Sequence, residues 1–163
     1  PGLSDRVITC SSLSKTYSIT GWRLGYVWAS PEWTDAVRKV HDFLTVGAAH
    51  PLQIAAVTGL ESGADYYAKL AADYQRKRDA LCGHLDRAGL PYLKPQGAYF
   101  LLADIAKTGM DDISFCRFLT KEIGVAGVPG SSFFEYPVAN LVRFHFSRKD
   151  ETLREAGIVL GAG

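Results

Sequence analysis

Ser12-Leu13-Ser14-Lys15-Thr16-Tyr17-Ser18-Ile19-Thr20-Gly21-Trp22-Arg23-Leu24-Gly25 is the stretch on which the reading of this chain turns. It follows Val7-Ile8-Thr9-Cys10, a short β-branched run that reads as a buried strand. A lysine therefore leaves a strand into a hydroxyl-rich loop: residues 11–20 hold four Ser and two Thr. Eight residues after Lys15 comes Arg23, with Gly21 and Gly25 on either side. A guanidinium offers a planar fork and each hydroxyl a further donor, which together suit a phosphate dianion. A lysine beside a carbonyl cofactor becomes an attachment point when burial or neighbouring cations depress its pKa. On the residues alone, a solvated lysine in a Ser-rich loop is the commoner outcome.

Working outward, residues 22–29 end in Gly25-Tyr26-Val27-Trp28-Ala29, which reads as a second buried strand. Ser30-Pro31 is an N-cap followed by proline at the first helical position, and Trp33, Val37, Val40 and Leu44 form an apolar stripe at helical spacing. Residues 47–50 break that helix, a second starts at Pro51, and Gly63 marks a further break. Residues 64–88 carry the longest helical pattern, with Tyr67, Leu70, Tyr74, Leu81 and Leu85 on one side and Gly89 and Pro91 at its end. Beyond it the types alternate: a strand over 99–105, a capped helix over 112–123, a short strand over 125–128, a strand over 141–146, and a helix opened by Ser147 in capping-box spacing with Asp150. The mixture indicates an α/β or α+β layered fold, with a boundary near residue 65.

Composition narrows the function classes. The chain has 163 residues, 47% hydrophobic and 21% charged, with a net charge of +1, which is globular and offers no basic face for nucleic acid or an anionic membrane. No apolar run approaches a bilayer span. The only Met is Met110 and the chain opens on Pro1 without a basic-then-apolar leader, so it reads as a piece that begins inside a longer protein. Cys10, Cys82 and Cys116 are odd in number and widely spaced, which predicts free, buried thiols in a reducing compartment rather than a disulfide framework. His41, His50, His84 and His145 lack ligand spacing, so no metal site is expected. Gly124, Gly127 and Gly130 do not match the dinucleotide fingerprint and read as a strand followed by a turn.

The quoted stretch resembles the lysine signature of the class I/II aminotransferases, which are fold type I pyridoxal-phosphate enzymes: Ser-x-Ser-Lys, then Gly-Trp-Arg-x-Gly with the arginine eight past the lysine. Three other segments resemble the same family: Pro95-Gln96-Gly97-Ala98-Tyr99-Phe100, Gly124-Val125-Ala126-Gly127-Val128-Pro129-Gly130, and Leu141-Val142-Arg143-Phe144-His145-Phe146-Ser147. Val40-His41-Asp42-Phe43-Leu44-Thr45-Val46 and Arg143-Phe144-His145-Phe146 are similar to segments of the kynurenine aminotransferase and glutamine transaminase K branch. No Arg lies between Thr45 and Gln53, where aspartate aminotransferases carry one.

The resemblance implies the C-terminal part of such an enzyme: residues 1–65 as a remnant of the large cofactor-binding domain and 66–163 as the small α+β domain. It implies pyridoxal 5'-phosphate as cofactor, with Lys15 as its covalent attachment point and general base. Ser12, Ser14 and Arg23 would bind the cofactor, and Arg143 would bind the substrate α-carboxylate. A fork fixes an amino acid's orientation as a lysine would not. The family's Asp that keeps the cofactor ring nitrogen protonated belongs to the other half of the enzyme. The implied activity moves an amino group from an aromatic, neutral or sulfur-containing amino acid to a 2-oxo acid, in a cytoplasmic homodimer. A C–S β-lyase, or an inert remnant, stands as the alternative.

Overall fold

The computed structural model describes residues 2–161; the expected opening at Pro1 lies outside them. The chain divides into two compact units between Asp65 and Tyr66, inside the first turn of the longest helix.

In the first unit, β1 (Thr9–Ser12) and β2 (Gly25–Trp28) form an antiparallel pair, with Ser12 opposite Gly25 and Thr9 opposite Trp28. Two helices follow, α1 (Pro31–Thr45) and α2 (His50–Leu60). Proline near the start of each occupies a position whose N–H would have no helical partner. Ser30 sits at the N-cap of α1, but its side chain makes no capping hydrogen bond.

The expectation of buried strands here is corrected. β1 starts at Thr9 rather than Val7, and both strands are exposed along their length, Trp28 at 75%. The apolar stripe of α1 is also largely in the open, with Leu44 at 75% and Phe43 at 92% exposure. Periodicity reports that a face is apolar, not that this unit supplies something to cover it. Cys10, expected buried, is exposed for the same reason, while Cys82 and Cys116 are buried; all three are free thiols.

α3 (Ala64–Arg87) leads into the second unit, and only its C-terminal half, through Leu81, Cys82 and Leu85, is buried. It ends in a Schellman arrangement: the Gly89 N–H donates to Asp86 and the Leu90 N–H to Leu85, with Gly89 at φ +67°. A three-stranded antiparallel sheet follows in the order β3 (Phe100–Asp104), β5 (Leu141–His145), β4 (Val128–Pro129). One face, through Leu101, Ala103, Val142 and Phe144, joins Leu81 and Leu85 of α3, Phe115 and Cys116 of α4 (Asp112–Phe118), and Leu153 and Leu160 of α5 (Asp150–Leu160) in a single core. Burying each of the larger side chains contributes about 1.5–3 kcal/mol. At Gly157 an added Cβ would overlap the His84 ring, so α5 packs directly on α3 there.

Three sequence expectations shift in this unit. The expected strand over 125–128 is only Val128–Pro129. The helix over 112–123 is α-helical to Phe118 and continues as a π-turn over Leu119–Ile123; Asp111 caps it by accepting the Ser114 N–H. The final helix starts at Asp150 after Lys149 and no side chain caps it, so the Ser147 capping box does not form.

Gly130 is where the chain turns against β5, and a Cβ there would lie 2.5 Å from the Leu141 carbonyl oxygen. Gly130→Ala is therefore expected to cost about 1–3 kcal/mol, read as a lower urea midpoint for the second unit; an unchanged midpoint would contradict the close approach. The exposed α1 and strand residues predict concentration-dependent association in sedimentation velocity, and a monodisperse monomer would contradict it.

Candidate functional site

The loop of residues 13–24 is closed by its own backbone. Leu13 N–H donates to the Leu24 carbonyl at 3.1 Å, extending the β1–β2 ladder by one bond. Leu13 and Leu24 are buried with Ala56 of α2, and Tyr17, Ile19 and Leu52 pack against them. Gly25 is required at the neck: a Cβ there would stand 2.6 Å from the Ser11 carbonyl oxygen. Inside this frame Ser12 Oγ accepts the Ser14 N–H at 3.1 Å, and Thr20 Oγ1 donates to the Ser14 carbonyl at 3.2 Å. Ser14 is thereby held from both sides and is only 6% exposed. Lys15 follows it immediately and is exposed.

Arg23 terminates a short 3-10 turn (Thr20–Trp22) in the left-handed region, φ 55°, with its guanidinium donating to the Thr20 carbonyl at 3.0 Å. The turn and the Leu13–Leu24 closure bring Ser12, Ser14, Lys15 and Arg23 onto one hairpin. A guanidinium and hydroxyls are donors of the kind that can take a phosphate dianion, and an amine can take a carbonyl carbon. Tyr17 lies against Gly59 of α2, where a Cβ would be 3.1 Å from its ring, so α2 is shaped to receive the loop.

Arg143 stands in the second unit, at the centre of β5, paired with Leu102 on one side and Val128 on the other. It occupies the sheet face opposite the core, which it shares with its cross-strand neighbours. Its guanidinium carbon lies 4.5 Å from the Phe100 ring centroid, 4.6 Å from Phe133 and 5.9 Å from Tyr99. Tyr99 and Phe100 themselves meet edge to face at 5.3 Å. The Arg143 Nε is buried with no hydrogen-bond partner, and no carboxylate pairs with Arg143 among the described residues. A cation set against aromatic faces with an unmet Nε–H is able to take an anion.

Sequence reasoning singled out the lysine loop and Arg143 but not the rings around the arginine. Phe100 was visible in the quoted Tyr99-Phe100 pair, and its register opposite His145 is fixed only by strand pairing. Phe133 was out of reach, because its proximity depends on the turn over Gly130–Phe133 (a 3-10 helix). Asp112, a 2% exposed carboxylate, was missed as well. Its Oδ1 accepts the Ile113 N–H at 3.0 Å and its Oδ2 the Ser131 N–H at 2.7 Å. Burial pushes the Asp112 pKa up, but the Ser131 and Ile113 hydrogen bonds outweigh it and hold the carboxyl below the ordinary value of 3.8.

A family model described as aminotransferase class I and II matches residues 2–157. The chain is 39% identical to a methionine aminotransferase of Escherichia coli over 96% of its own length, and 35% identical to a kynurenine–oxoglutarate transaminase of Dictyostelium discoideum, also over 96%. It spans 41% of the length of each. It superposes on a crystal structure of the E. coli methionine aminotransferase with a TM-score of 0.93 and 38% identity, over 100% of this chain and 43% of that one. Its mixed α/β architecture is thus that of the fold type I aminotransferases. No helix among the described residues is long and apolar enough to cross a membrane, and none of their His, Cys, Asp and Glu form a metal-binding group.

His145 reports on the charge around Arg143. Burial lowers its pKa from 6.5, and the Arg148 and Arg143 guanidinium charges lower it further. A depressed histidine favours folding above pH 6.5, and that contribution is lost as pH falls from 6.5 towards the folded pKa. In an NMR titration His145 should turn below 6.5, and Arg148→Gln should raise its midpoint while burial keeps it under 6.5. A midpoint at or above 6.5 in the unaltered chain would contradict this environment.

Proposed function

The chain belongs to the aminotransferase class I and II family, and on that premise we propose that it carries the lysine- and arginine-bearing part of a pyridoxal-phosphate-dependent aminotransferase. The observation that supports the reading is the closed hairpin that carries Ser12, Ser14, Lys15 and Arg23 along its loop. The amino donor is an aromatic, neutral or sulfur-containing amino acid, and the acceptor a 2-oxo acid. The names of the methionine and kynurenine relatives support that substrate class. The working enzyme is a cytoplasmic homodimer; the three free thiols agree with a reducing compartment.

Each residue then has a task. Arg23 and the hydroxyl of Ser12 hold the cofactor phosphate by charge-assisted hydrogen bonds. Ser14, fixed through its backbone by Ser12 and Thr20, sets the direction in which Lys15 leaves the loop. Lys15 Nζ would hold the cofactor and, when free, would accept the proton from the substrate α-carbon. The bound cofactor supplies an electron sink for the pair left behind on that carbon. Arg143 engages the substrate carboxylate through its terminal N–H groups, while Phe100 and Phe133 keep the guanidinium plane from turning.

Incubating the chain with pyridoxal phosphate, reducing with borohydride and mapping the peptides by mass spectrometry tests the assignment. A pyridoxyl group is expected on Lys15, absent in Lys15→Ala and weakened about 10-fold or more in Arg23→Gln, the loss of one charge-assisted phosphate contact. Labelling spread over surface lysines with Lys15 unmodified would overturn it.

A further inference from the structure

The proposed carboxylate receptor depends on where the Phe133 ring stands, and Phe133 has little of its own to hold it. It is half exposed and closes a four-residue 3-10 turn, Gly130–Phe133, between a two-residue strand and an irregular stretch. The turn has two anchors. One is the close approach of Gly130 to Leu141, two residues before Arg143. The other is the 2.7 Å hydrogen bond from the Ser131 N–H to the buried Asp112 carboxylate, which reaches across from the first turn of α4. Asp112 is almost fully buried, pairs with no cation among the described residues, and accepts hydrogen bonds from the Ile113 N–H and from both the N–H and the hydroxyl of Ser131. Keeping an ionised carboxylate in such a place is costly unless what it holds matters to the fold or the site.

We propose that Asp112 is a positioning residue for Arg143: it fixes the 130–133 turn through Ser131, and the turn delivers the Phe133 ring that, with Phe100, holds the guanidinium in plane. The chain of contacts is short. Asp112 binds Ser131, Ser131 is two residues from Phe133, and the Phe133 centroid is 4.6 Å from the guanidinium carbon. Loss of the carboxylate leaves the Ser131 N–H without its partner and lets the ring swing out. The fork then samples several orientations, and an anion must select among them. The inference rests on the reading of Arg143 as a carboxylate receptor, but Asp112 does not touch the ligand itself.

The test uses NMR on the full chain. In the unaltered chain the Ser131 amide should exchange roughly 10- to 100-fold more slowly than the neighbouring loop amides, as expected for a hydrogen bond to a charged acceptor. The Arg143 Nε–H should resonate as one line displaced by the two rings. In Asp112→Ala that line should move towards the position of an unstacked arginine or broaden, while the core methyls of Leu101 and Val142 stay in place. Titration with 3-phenylpropionate should move the Nε–H in the unaltered chain, with roughly 10-fold weaker affinity in Asp112→Ala. A probe that leaves the unaltered Nε–H unmoved overturns the carboxylate reading. An unaltered chain that responds, with Asp112→Ala responding equally, overturns the role of Asp112 alone. Should the substitution disturb the methyls, Ser131 exchange in the unaltered chain decides, and exchange at loop rates overturns the proposal.

Discussion

A guanidinium set against aromatic faces, with its Nε sealed from water and no carboxylate paired with it among the described residues, is the constraint around which the second unit is arranged. The arginine is at the middle of the central strand, so strand pairing on both sides fixes its backbone. The opposite face of the same strand, Val142 and Phe144, is fully committed to the core. A one-residue slip would bury the arginine and expose Val142 and Phe144, so the core enforces the register that presents the charge. Phe100 and Phe133 then restrict the side chain at modest energetic gain, each contact contributing on the order of 0.5–2 kcal/mol.

The first unit solves a different problem with backbone. A lysine with the covalent role proposed for Lys15 must leave the surface in one direction, and flexible Ser-rich loops do not provide that. Here the loop is pinned at both ends by Leu13 and Leu24, closed by their backbone hydrogen bond, and tightened where Ser12 and Thr20 take hold of Ser14. The left-handed conformation of Arg23 costs an L-residue on the order of 1–2 kcal/mol. It aims the guanidinium back over the Thr20 turn, and a glycine in its place would supply the conformation but not the charge.

Much of this was legible in the amino-acid order because it is local. The spacing of Lys15 and Arg23, the helix starts at Pro31 and Pro51, the stop at Gly89 and the Arg143 strand all follow from side-chain chemistry within a few residues. What was not legible depends on partners distant in sequence. The apolar residues of α1, β1 and β2 announce a buried face, yet in this unit they stand open, since hydrophobic pattern carries no information about what lies opposite. Ser147 and Asp150 have capping-box spacing, but the chain starts its helix three residues later. Asp112 and Phe133 acquire their meaning only when α4 and the Gly130 turn are brought together, which no short motif encodes.

The account is tested most directly by following a labelled amino group. The polypeptide that carries this sequence in its host should be given 15N-methionine and an unlabelled 2-oxo acid, and the products resolved by mass spectrometry. The account predicts 15N in the amino acid formed from the acceptor, none with Lys15→Ala, and much less with Arg143→Gln. Label released as ammonium, or transfer that survives Lys15→Ala, would contradict it.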